Sequence, residues 1–66
     1  MRFKVRKLIA KYRTGAGLDS PVSGVIFYGK KINPTNKMCV DGTEWFQFLY
    51  RKKFVWVNIE DLKIRS

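Results

Sequence analysis

Two aromatic segments joined by three basic residues constrain this chain more than any other feature in it. Trp45-Phe46-Gln47-Phe48-Leu49-Tyr50, read as a strand, puts Phe46, Phe48 and Tyr50 on one face and Trp45, Gln47 and Leu49 on the other. After Arg51-Lys52-Lys53, the run Phe54 to Asn58 sets Val55 and Val57 opposite Phe54 and Trp56. Period-two alternation on both sides of a short polar turn is the pattern of a β-hairpin. Asp41-Gly42, a strong turn dipeptide, precedes it and joins it to a shorter strand over Lys37–Val40. Ile59-Glu60-Asp61-Leu62 after it has the length of a single 3₁₀ turn.

The rest of the chain reads as further strands and turns. Phe3 and Val5 alternate with Arg2, Lys4 and Arg6, which predicts a half-buried strand. The same region also places Val5, Leu8, Ile9 and Tyr12 at helical spacing, so a basic amphipathic helix is the competing reading. Residues 14–21, Thr-Gly-Ala-Gly-Leu-Asp-Ser-Pro, have the composition of a loop. Val22 to Tyr28 is rich in β-branched and aromatic residues and stops at Gly29. Asn33-Pro34-Thr35-Asn36 is a turn.

Turns recurring at this interval predict an all-β fold, a small antiparallel barrel of five to seven short strands. The whole chain, 66 residues, makes one domain. A domain of this size buries only about 60% of the surface its unfolded chain exposes, so its core needs large side chains. Five Phe, three Tyr and two Trp supply them. The predicted interior is Val5, Val25, Phe46, Phe48, Val57 and Leu62.

Charge narrows the function classes. Fourteen Lys and Arg stand against five Asp and Glu, for a net charge of +9. The cations cluster in the first 13 residues, at Lys30-Lys31 and at Arg51-Lys52-Lys53. Such a field attracts polyanions: nucleic acid, anionic lipid, or the phosphates of a cell wall. Lys and Arg also solubilise an aromatic-rich domain and blunt its strand edges, which is the plain structural alternative.

Catalysis finds little support. There is no His to act as general acid or base. Asp41, Glu44, Glu60 and Asp61 sit in or beside turns, where acids occur for structural reasons. The single Cys39 forms no internal disulfide or thiolate metal site and reads as a small buried apolar thiol. Gly15-Ala16-Gly17 lacks the strand-to-helix context of a phosphate cradle. The expectation is a non-enzymatic chain with no cofactor and no bound metal. No apolar run reaches the roughly 18 residues of a membrane span, and no secretory signal is visible.

Several of these segments together resemble the bacterial SH3 domain family. They are Tyr12-Arg13-Thr14-Gly15, Val22-Ser23-Gly24, Tyr28-Gly29-Lys30-Lys31-Ile32, Trp45-Phe46-Gln47-Phe48, Trp56-Val57 and Leu62. Their order and spacing match the family's V-R-S-G-P, V-I-G, K-K-G, W-Y-x-V and G-W-V runs over residues 5–63. The chain departs from that pattern at Ala16 (usually Pro), Val55 (usually Gly) and Tyr28 (usually polar). The resemblance implies an SH3-like barrel that docks on the bacterial cell wall, through peptidoglycan or teichoic acid. In phage endolysins and other peptidoglycan hydrolases such a module is commonly joined to a larger catalytic chain, and it then acts outside the cell.

The ligand-binding candidates are Tyr12, Tyr28, Trp45, Tyr50 and Trp56, with Lys30, Lys31, Arg51, Lys52 and Lys53. Aromatic faces pack on sugars and peptide stems, and Arg and Lys meet carboxylates and phosphates. Either Trp has core packing as its simpler explanation. Two other functions stay open. A small basic barrel binds nucleic acid with stacked aromatics in a cationic groove, which would place the chain in the cytoplasm. A module of this kind also serves as a protein-interaction or assembly element.

Overall fold

The aromatic hairpin in the second half of the chain organises two antiparallel sheets. A computed structural model describes residues 2–65. In chain order the strands are β1 (Phe3–Val5), β2 (Ile9–Arg13), β3 (Val22–Phe27), β4 (Lys31–Ile32), β5 (Asn36–Val40), β6 (Thr43–Tyr50), β7 (Lys53–Asn58) and β8 (Leu62–Ile64). A 3₁₀ turn, Ile59–Asp61, separates β7 from β8, and the Asn58 side chain accepts a hydrogen bond from the Glu60 amide. One sheet has the order β3-β2-β7-β6-β5 and the other β4-β1-β8. The all-β expectation and the terminal 3₁₀ turn hold.

Two details of the expected barrel change. Eight strands form rather than five to seven, because β4 has two residues and β8 three, too short to show periodicity. The ladders do not close into a barrel either: β3 and β5 end one sheet, β4 and β8 the other. At one corner the chain passes between the sheets, tied by Val5 N–H to Lys30 C=O (2.9 Å) and Arg6 N–H to Asp61 C=O (2.9 Å).

Between the sheets lies one apolar cluster of Phe3, Val5, Ala10, Ile26, Ile32, Phe46, Phe48, Val55, Val57 and Leu62. The Phe3 and Phe46 rings, 4.7 Å apart, join the two layers directly. The N-terminal segment is strand, and the helical stripe dissolves because Leu8 and Ile9 are exposed. Five of the six expected core residues are buried. Val25 is the exception at 41% exposure. In β3 it pairs with Lys11, while Ile26 pairs with Ala10 and takes the inward place. A run of four apolar residues does not show which face is inner; the register with β2 decides it. Cys39 is exposed rather than buried, because β5 is an edge strand whose residues stay largely in solvent.

Deleting the Phe48 ring tests this core. Phe48→Ala should lower unfolding free energy by about 3–5 kcal/mol in urea denaturation. A loss near zero would show that the ring is not packed where it is placed.

Candidate functional site

The core-facing side of β6 ends at Tyr50, which is only half-buried and gathers its neighbours at one end of the core. Tyr12 from β2 meets it edge to face, with ring centroids 5.3 Å apart at 65°. Tyr12 reaches this position because its cross-strand neighbour is Gly24. A β-carbon at Gly24 would run into the Tyr12 ring and hydroxyl. Lys30 Nζ lies 5.1 Å from the Tyr50 ring centre and the Arg51 guanidinium carbon 5.3 Å. The negative face of an aromatic ring attracts cations, and Tyr50 has two positive groups within reach of its ring. Neither belongs to an ion pair among the described residues; those are Lys7–Asp61 (2.8 Å) and Lys37–Glu44 (3.9 Å).

The turn carrying Arg51 is unusual in its residues. Tyr50 pairs with Lys53, leaving Arg51 and Lys52 as a two-residue hairpin loop. Their φ angles are +51° and +67°, the left-handed values of a type I′ turn. The β5–β6 hairpin has the same positive φ pair at Asp41 (+50°) and Gly42 (+78°), with residues that suit it. Arg and Lys have no such preference, and left-handed backbone costs an ordinary residue roughly 1–2 kcal/mol. The hairpin tip therefore displays two cations in place of a cheaper turn sequence.

The structure sorts the expected ligand residues into four places. Tyr12, Lys30, Tyr50 and Arg51 come together, with Lys52 and Lys53 on the same hairpin. Tyr28 is 61% exposed in the turn closed by Lys30 N–H to Phe27 C=O (3.1 Å), outside the ring pair. Lys31 is on the other sheet, opposite Lys4. Trp45 and Trp56 are 2% and 8% exposed, so neither offers an open face as a platform. Alternation puts both on the outer face of the five-stranded sheet, but residues of the 14–20 loop lie beside Trp45.

Arg13, read from the sequence only as a member of the N-terminal basic cluster and of the Tyr12–Gly15 segment, secures that loop. Its Nη1 donates to the Leu18 carbonyl (3.1 Å) and the Ser20 carbonyl (2.8 Å). Its position on the same face as Lys11 was visible in the alternation of β2, but its acceptors lie in a loop without periodicity. The result is an open groove of about 340 Å³ with Trp45, Lys7, Lys11, Arg13, Glu60 and Asp61 among its walls. No cluster of three or more His, Cys, Asp or Glu side chains suited to a metal occurs among the described residues. Nor does any described helix have the length and apolar character to cross a membrane.

Comparison with protein-family models, curated proteins and solved structures finds no match for this chain. Its chemistry must therefore be read from the side chains: exposed cations beside a partly open aromatic pair, an arrangement suited to anionic ligands with an apolar flank. The turn supplies a direct test. Replacing Arg51-Lys52 with Asn-Gly should raise thermal and urea stability by about 1–2 kcal/mol, by relieving the left-handed strain. Unchanged or lower stability would show that the tip carries no such strain.

Proposed function

We propose that this chain is a non-catalytic module that docks on the bacterial cell wall. The observation that carries the reading is the convergence of Lys30 and Arg51 on the Tyr50 ring, beside Tyr12. Peptidoglycan stems present carboxylates next to small apolar side chains, and its sugars present apolar ring faces. Arg51 pairs with a carboxylate through its forked N–H groups, while the tyrosine rings cover the apolar flank. The ordered resemblance to bacterial SH3 domains points the same way.

The burial of both tryptophans favours this reading over nucleic acid. Stacking of successive bases needs open aromatic faces in line along a cationic groove. Trp45 and Trp56 do not provide them. Tyr28 alone among the expected platforms is well exposed.

The test is sedimentation with sacculi stripped of anionic polymers, at about twice physiological ionic strength, beside a gel shift on mixed DNA. Retention on sacculi and release from DNA is the expected result, since binding to phosphates falls steeply with salt. Changing Arg51, Lys52 and Lys53 all to Glu should weaken the sacculus interaction at least tenfold, or about 1.4 kcal/mol. Glu meets the same left-handed penalty at the turn as Arg and Lys, so the strain is unchanged and melting should hold. Binding to DNA but not to sacculi would reject the wall reading.

A further inference from the structure

A second cationic surface lies on the three-stranded sheet. Lys4 in β1 is the cross-strand partner of Lys31 in β4 on one side and of Lys63 in β8 on the other. Partners in direct register share a face, so the three lysines form a row across the sheet. Phe3, Val5, Ile32 and Leu62 take the opposite, inward face. Strands lie about 4.8 Å apart, so the row spans roughly 10 Å. Like charges directly opposite one another destabilise a sheet. No acidic side chain is paired with any of the three among the described residues.

Arg65 extends the group. With the three lysines and Ile64 it lines a shallow depression of about 410 Å³ that has no acidic wall. Its Nη2 donates to Asn33 Oδ1 at 3.4 Å. Its Nε is the one buried side-chain nitrogen or oxygen without a hydrogen-bond partner among the described residues. A buried donor left without an acceptor is costly, so Arg65 adds to the unfavourable charge that this face carries.

We infer that Lys31, Lys4, Lys63 and Arg65 form a binding site for a linear phosphodiester polymer of the polyol-phosphate kind. Two features define this ligand. The row is longer than one phosphate, so a chain of phosphates engages all three ammonium groups where a single phosphate does not. No aromatic side chain lines the depression, and Phe3, the aromatic residue of β1, is buried beneath the sheet. A polymer without bases loses nothing from that absence, whereas single-stranded nucleic acid gives up its stacking energy. The choice of polymer rests on the cell-wall reading; the site itself rests on the register of the three strands.

The experiment titrates the folded chain with poly(glycerol phosphate) and, in parallel, with oligo-dT of matched phosphate number at the same ionic strength. The parent protein should bind poly(glycerol phosphate) more tightly. Lys4→Gln, Lys31→Gln and Lys63→Gln together should weaken that binding at least about tenfold, with melting unchanged or raised as the repulsion is removed. Should the triple variant melt early, Lys63→Gln alone, on an edge strand, should weaken binding about fivefold. Equal affinity of parent and variants would overturn the site. Tighter binding of oligo-dT, lost in the same variants, would overturn the choice of polymer. Sacculi stripped of anionic polymers separate the two ideas, because the triple-Gln variant should bind them as the parent does. If stripped sacculi bind and poly(glycerol phosphate) does not, this site fails and the wall reading stands; if poly(glycerol phosphate) binds and stripped sacculi do not, this site stands and the peptidoglycan contact assigned to Tyr50 and Arg51 fails.

Discussion

The meeting of Phe3 with Phe46 holds the two layers of this protein in one core. With centroids 4.7 Å apart, these rings connect the middle strand of the small sheet to the hairpin of the large one. A three-stranded sheet whose strands have two or three residues has too little apolar surface to persist alone. It exists because Phe3, Val5, Ile32 and Leu62 are covered by Phe46, Phe48, Val55 and Val57 from the other layer. The hairpin in turn is shielded on its second face, where Trp45 and Trp56 lie beside Arg13 and the loop it secures. In a chain this small, covering both faces of one hairpin is an efficient use of the aromatic residues.

Burial and charge are kept apart by the pleat. Among the described residues the core contains no charged side chain, so +9 accumulates on the surface, where it shares the outer faces of the strands with apolar residues such as Ile9, Phe27 and Phe54. Part of that charge opposes stability. Arg51 and Lys52 occupy left-handed backbone, and Lys31, Lys4 and Lys63 stand in direct register. Ordinary solubilising charge would avoid both arrangements. Their coexistence in one small domain is the physical reason to regard them as binding surfaces, since local destabilisation tends to mark functional sites.

The two surfaces differ in what they can hold. The Tyr50 group combines cations with aromatic edges and suits a ligand with charged and apolar sides. The lysine row has only charge and a single apolar residue, Ile64, and suits repeated phosphates. Lys30 of the first and Lys31 of the second are neighbours in the chain, so under the proposed function one extended ligand can engage both, and linked weak contacts then add through effective concentration. The groove beside Trp45 is mixed in charge, since Glu60 and Asp61 face Lys7, Lys11 and Arg13 across it.

Local patterning was enough to reveal the hairpin, its two faces and most of the core. Phe46, Phe48 and Val57 alternate with polar or outward residues, and Asp41-Gly42 announces its own turn. The grouping of Lys30 with Tyr12 and Tyr50 was legible only as a set of candidates, because three separate segments contribute to it. Other features depended on contacts distant in sequence. Val25 and Ile26 exchanged places because β2 set the register, and Trp45 lies beside a loop that carries no periodic signal. Strands β4 and β8 were too short to announce themselves, so the row from Lys31 through Lys4 to Lys63 could not be read along the chain. Alternation assigns a residue to one of two faces, whereas cross-strand register assigns it a neighbour. The second kind of information arises only when the core draws remote strands together.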